Sequence, residues 1–150
     1  MILYAESSAV LTWVLSQERE SEIERALAGA ELIISSDLTM LECERVLVRG
    51  NAVGELSEAE LTRRQVMLRT AGQHWMLLGF DPSVIERAQR PFPSEPIRTL
   101  DALHLGFALE ARRIVGDVRV LSMDTRIRKT ARDLGVEVLP EAKPVSDQSA

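Results

Sequence analysis

The sequence holds a single cysteine, Cys43. An internal disulfide is thereby excluded, and the chain suits a reducing compartment, here expected to be the cytoplasm. Nothing beside Cys43 in the sequence would activate its thiol, so it reads as core filler and not as a nucleophile. No apolar run approaches the roughly 20 residues that cross a bilayer, so no membrane role is expected. The start has no basic stretch leading into a long apolar one, and no secretory signal is expected. Internal repeats and low-complexity tracts are also missing. Lysine is almost absent, with Lys129 and Lys143 the only two among 18 basic residues. Neither stands near an acid on a late strand, which argues against a receiver-type signalling domain. The net charge of -5 argues against bulk attraction to nucleic acid. It leaves room for a nucleic-acid enzyme with an acidic site inside a basic rim. Arginine, whose planar fork matches phosphate geometry, supplies almost all of the cations. Most of these arginines are expected on solvated helix faces.

What is present is a chain of 150 residues, 45% hydrophobic, enough for one domain with a real core. Short continuous apolar runs alternate with helical patterns. "ILYA", "ELIISS", "WMLLGF", "VRVLSM" and "VEVL" read as strands. "SAVLTWVLSQ" follows the first, with Ser7 or Ser8 as its cap. "SEIERALAGA" reads as a helix ending near Gly29, and "LTMLECERVLVRG" as one stopped by Gly50. "SEAELTRRQVMLRTAGQHW" carries Ser57 and Glu60 in capping-box positions, and "DPSVIERAQR" has Pro82 in its first turn. "PFPSEPIR" holds three prolines and reads as irregular. It leads into the helix "TLDALHLGFALEARR", and "TRIRKTARDLG" is the last helix. Residues 141–150 have few apolar groups and are expected to be a flexible tail. Strands alternating with helices predict an α/β domain with a largely parallel sheet of about five strands and helices on both faces.

In such sheets, sites form beyond the carboxyl ends of the strands. Glu6 follows the first strand there, and Asp124 follows the fourth. Asp101 lies in the first turn of its helix, where the dipole alone would explain it. It shares a stripe with Leu105 and Ala108, however, and an inward carboxylate is not explained by capping. Between Glu42 and Glu44 the periodicity does not choose. A cluster of carboxylates that stays ionised needs a cation. Oxygen ligands with no Cys or His pattern point to Mg²⁺ or Mn²⁺, ions suited to phosphoryl chemistry. His104 follows Asp101 by three residues but reads better as a packing histidine, and His74 as a contact at a helix end.

These residues carry a resemblance. "MILYAESSAVL", "ISSDLTMLECERVL", "RTLDALHLGFAL" and "VLSMDTRIRKTARDLGVEVL" together resemble the PIN-domain ribonucleases of the VapC toxin type, over Met1 to about Leu139. The third stretch is the most specific. The resemblance implies a single PIN-like nuclease domain over residues 1–140 that hydrolyses RNA with Mg²⁺ or Mn²⁺. It also implies a small antitoxin as partner and a homodimer. It selects Glu42 over Glu44, so that Glu6, Glu42, Asp101 and Asp124 stand at the family's acidic positions as catalytic residues and metal ligands. Ser8 stands where a hydroxyl supports the first acid. Arg98 and Arg126, near two of the acids, are candidates for holding the RNA backbone. One departure matters: the family's first acid is usually Asp, and Glu6 reaches about one C–C bond further with one more rotor to fix. Ser122 similarly stands where Thr is common. The alternative is a catalytically inactive PIN-like module that binds protein or RNA without cutting.

Overall fold

The computed structural model describes residues 1–17 and 21–141. The stretch read as a tail therefore lies, beyond residue 141, outside the described residues. Chain order is β1 (Ile2–Ala5), α1 (Ser7–Leu15), α2 (Glu22–Gly29), β2 (Leu32–Ser36), α3 (Asp37–Ala52) and α4 (Glu58–His74). Then come β3 (Met76–Leu78), α5 (Pro82–Gln89), α6 (Thr99–Val115), β4 (Arg119–Leu121), α7 (Thr125–Asp133) and β5 (Val138–Leu139). All strand pairs are parallel, and the order across the sheet is β3-β2-β1-β4-β5. The expected parallel α/β domain with five strands is therefore observed.

Side-chain alternation along the strands divides the core in two. Tyr4, Ile34, Val120 and Val138 point to the face covered by α5, α6 and α7, where Phe107, Leu105 and Val84 are buried. Leu3, Ala5 and Leu121 point to the other face, against Val10, Val14, Cys43, Leu47 and Leu68 of the earlier helices. Each large aliphatic or aromatic side chain so buried contributes about 1.5–3 kcal/mol before the entropy of ordering it is counted. Tyr4, wholly buried, keeps a partner by donating its hydroxyl to Ser36 Oγ at 3.1 Å. Gly106 lets α5 and α6 approach: a Cβ there would lie 3.1 Å from the Val84 carbonyl oxygen.

Two boundaries differ from the sequence reading. α3 runs through Gly50 to Ala52. Leu56 folds back onto Gly50, and the amides of Glu55 and Leu56 both donate to the Gly50 carbonyl, at 2.9 and 3.1 Å. The residue that turns the chain is Gly54, at φ 80°. The cap of α1 is neither serine but Glu6 itself, whose carboxylate accepts from the Ser8 amide. The capping box of α4 is present as expected, with Ser57 and Glu60 bonding each other's backbone amides.

Candidate active site at the carboxyl edge of the sheet

The strand order turns at β1. From β1 the chain builds outward through β2 to β3, then returns to place β4 on the other side of β1. Crevices in open α/β sheets open at such a reversal. Ala5 pairs with Leu121 in register, so the residues that follow them, Glu6 and Ser122, emerge side by side. The Glu6 amide donates to the Leu121 carbonyl at 3.0 Å.

Above this point lies a cleft of about 390 Å³ lined by Glu6, Glu42, Asp101 and Asp124, together with Ser7, Ser8 and His104. Residues from four separate parts of the chain meet there. Glu44, two residues from Glu42, points away and bonds Gln65 Nε2 at 2.9 Å and Arg69 Nε at 3.0 Å on α4.

Glu6 is 2% exposed and is held from all sides. Its Oε1 accepts from Ser7 Oγ at 2.8 Å and from the Ser8 amide at 3.1 Å. Its Oε2 accepts from Ser122 Oγ at 2.7 Å and from Ser8 Oγ. A carboxylate has about four lone-pair sites, and here four donors fill them. Ser8 Oγ also accepts from the amides of Met123 and Asp124, at 2.8 and 3.1 Å. Glu6 and Ser8 thus tie the start of α1 to the loop before α7. The family resemblance implied Ser8 as a support for the first acid, and its hydroxyl does meet Glu6.

Glu42 projects from α3, and its Oε1 meets His104 Nε2 and, at 3.4 Å, Ser7 Oγ. His104 is 3% exposed, with Nε2 also 3.3 Å from Ser7 Oγ and 3.9 Å from Glu6 Oε1. Its Nδ1 is buried without a partner. The expectation that His104 only packs is therefore corrected. It is part of the cleft, and its i+3 spacing from Asp101 on one helical face was the available signal. Asp124 caps α7, with Oδ1 accepting from the Arg126 and Ile127 amides at 2.9 and 3.1 Å.

Asp101, in the first turn of α6, accepts no hydrogen bond among the described residues. Its carboxyl is pushed above the usual aspartate range, first by burial and then by the charge of Asp124, while Arg126, His104 and Arg98 pull the other way. Two carboxylates that raise one another's energy favour a cation between them. The Cys43 thiol, behind Glu42, is pushed up to about 12, first by burial and then by the charges of Glu42, Glu6 and Glu44, as suits inert packing.

The donor set fits a hard divalent cation in chemistry. Asp101, Asp124 Oδ2 and Glu42 Oε2 carry oxygens that accept no donor, whereas Glu6 has none to spare. Among the described residues, no three acidic, histidine or cysteine side chains stand already grouped to hold an ion. An incoming cation would therefore have to draw these side chains together.

The raised Asp101 carries a test. A carboxyl favoured as the neutral acid in the fold contributes stability below its unfolded pKa and loses it as pH rises through the folded one. Asp101→Asn, which imitates the neutral acid, should leave the metal-free protein at least as stable at pH 7. That advantage should vanish as pH falls below about 4. Thermal melts across pH check this, and Mn²⁺ should raise the melting temperature of the variant less than that of the parent. A strong loss of metal-free stability at neutral pH would show that Asp101 serves chiefly the helix dipole.

Solved structures that resemble the fold include the following three. A toxin–antitoxin complex from Klebsiella pneumoniae matches with a TM-score of 0.59 at 16% identity, covering 84% of this chain and 89% of that one. FitAcB from Neisseria gonorrhoeae matches with a TM-score of 0.63 at 17% identity, covering 92% and 96%. FitAB bound to an IR36 DNA fragment matches with a TM-score of 0.62 at 16% identity, covering 92% and 93%. At such identities the likeness is one of fold. No curated protein sequence matches. The model of the PIN domain family matches residues 3–133, a span that takes in Glu6, Glu42, Asp101 and Asp124. Its reach over nearly the whole chain, joined to the sheet order and the acids at its reversal point, makes this protein a member of the PIN domain family.

Proposed function

We propose that the chain is a divalent-metal-dependent endoribonuclease and the toxin of a VapC-type toxin–antitoxin pair. The observation that carries the reading is the meeting of Glu6, Glu42, Asp101 and Asp124 around one cleft of a PIN domain. Glu42, Asp101 and Asp124 would hold Mg²⁺ or Mn²⁺, and Glu6 would join them only by releasing a serine. When bound, the ion polarises a phosphodiester and activates water toward it. The chain's own groups do the rest. Glu6, fixed by Ser7, Ser8 and Ser122, sets a negative floor to the cleft. Ser8 holds the loop that presents Asp124 at the correct height. His104 steadies Glu42 through Nε2.

A small antitoxin and a second copy of the chain are the proposed partners. The resemblance to solved toxin–antitoxin complexes supports the first. Among the described residues no helix is long and apolar enough to cross a membrane, and a cytoplasmic location accords with the lone buried Cys43.

The purified chain should cut a mixed RNA pool with Mn²⁺ or Mg²⁺ and leave it whole with EDTA. Sequencing the new RNA ends would read out the sites. Bound Mn²⁺ with intact RNA would leave the non-cutting module instead.

A further inference from the structure

Beside the acid cleft lies a second hollow of about 440 Å³, between the proline-rich segment before α6 and the exposed side of α7. The two cavities share Arg98 and Asp101 in their linings, so they adjoin at Asp101. Pro96 and Ile97 give the hollow an apolar wall, and Arg126 and Lys129 give it cations. At the far end Lys129 Nζ donates to Ser94 Oγ and to Asp133 Oδ2, each at 2.8 Å, which holds that end together.

Arg98 and Arg126 are unpaired among the described residues, as are Arg45, Arg49, Arg63 and Arg132, so what sets Arg98 and Arg126 apart is that they line this hollow. Arg69, Arg90, Arg113 and Arg119 each pair with a glutamate. Arg112 and Arg128 donate to backbone carbonyls. Among the described residues the guanidinium groups of Arg98 and Arg126 make no hydrogen bond, and both act on Asp101 only through their charge. Each also sits at the start of a helix, where a cation is disfavoured by the dipole. Two open forks, exposed and unfavourably placed, flank a hollow that adjoins the acid cleft at Asp101. Its volume falls within the usual range for a small-ligand pocket, roughly 300–1,000 Å³.

The geometry points to this hollow as the subsite for the nucleotide next to the scissile phosphate, with Arg98 and Arg126 forking its phosphate and Pro96 and Ile97 carrying the ribose and base. The assignment rests on the ribonuclease reading. It adds the path of the strand, which leaves the acids over α7 and not over α3. No aromatic ring lines the hollow, so base stacking is slight, and the subsite holds the backbone more than it reads the base.

The test measures binding without cutting. A fluorescent single-stranded RNA of about ten nucleotides is titrated with the full chain in EDTA, between about 50 and 200 mM KCl. Arg98→Ala and Arg126→Ala should each weaken binding by about tenfold at the low-salt end. Each should also flatten the slope of log affinity against log salt by about 0.7. Arg90→Ala removes an equal charge from an arginine already paired with Glu86 and should change neither. Unchanged binding in the first two variants, an equal loss with Arg90→Ala, or a parent chain that binds no RNA would each overturn the subsite. The two readings fail separately. RNA held through the arginines but never cut with Mn²⁺ would sink the nuclease and leave the hollow as an RNA-binding site with no scissile phosphate beside it. RNA cut as before by the Arg98 and Arg126 variants, with binding unchanged, would do the reverse.

Discussion

Replacing Glu6 with alanine should cost the fold about 3–4 kcal/mol, a large share of a small domain's stability. Three consequences add. The α1 cap is lost, worth about 1 kcal/mol. Ser7 Oγ, Ser8 Oγ and Ser122 Oγ lose a charged acceptor in a site that is almost closed to water. The link that runs through Ser8 to the Met123 and Asp124 amides loses its anchor. Urea unfolding of the metal-free protein would measure the sum. Glu6→Gln should be milder, because an amide fills the same space, its oxygen keeps the Ser7 hydroxyl and the Ser8 amide, and the Ser122 hydroxyl can turn to accept from its nitrogen, although Ser8 Oγ, already accepting two amides, cannot. Glu6→Asp should fall between them. The carboxylate retreats by about one C–C bond and cannot reach Ser122 while still holding Ser7. A Glu6→Ala protein as stable as the parent would show that the serines do not depend on this glutamate.

Asp124→Asn should separate structure from chemistry at the other side of the cleft. Asparagine caps helices as well as aspartate does. The bonds to the Arg126 and Ile127 amides should survive, and stability should stay within about 0.5 kcal/mol of the parent. Cleavage of RNA should nevertheless fall by about 100-fold or more, because the oxygen left over for a cation is now part of a neutral amide. Asp124→Ala should lose both, cleavage and about 1 kcal/mol of stability. Cleavage rates set beside unfolding curves for the two variants make the comparison. Parent-like cleavage by the asparagine variant would remove Asp124 from the proposed site.

Much of this was legible in the chain before any coordinates. The strands are short apolar runs because helices bury both of their faces, and that pattern gave away both the parallel sheet and the edge on which Glu6 and Asp124 sit. Glu42 was not legible from periodicity. Both it and Glu44 lie on the flanks of α3, and what takes Glu44 out of the site is Gln65 and Arg69 on α4, partners more than 20 residues away that no local pattern reveals. The family resemblance pointed to Glu42, the one of the two that lines the cleft. His104 was misjudged because a buried histidine on an apolar helix looks the same whether its partner is a carbonyl or a carboxylate. Only the tertiary fold brings Glu42 on α3 to His104 on α6. The α1 cap was assigned to a serine by residue preference, whereas the strand-end carboxylate of Glu6 accepts the Ser8 amide in its place.

The position of β1 bears on how the protein is made. β1 is synthesised first, but β4, its partner across the reversal point, is about 115 residues further along. Pairings between such distant segments form late, after most of the chain has been closed into a loop. During synthesis from the N-terminus, β1 and β2 can meet early, yet Glu6 has no Ser122 and the cleft has no Asp124 until nearly the whole domain has left the ribosome. A stalled or truncated product that ends before β4 therefore contains Glu6, Glu42 and Asp101 without the wall that completes their cleft. If the chain cuts RNA as proposed, a product still on the ribosome and short of β4 would carry an incomplete cleft.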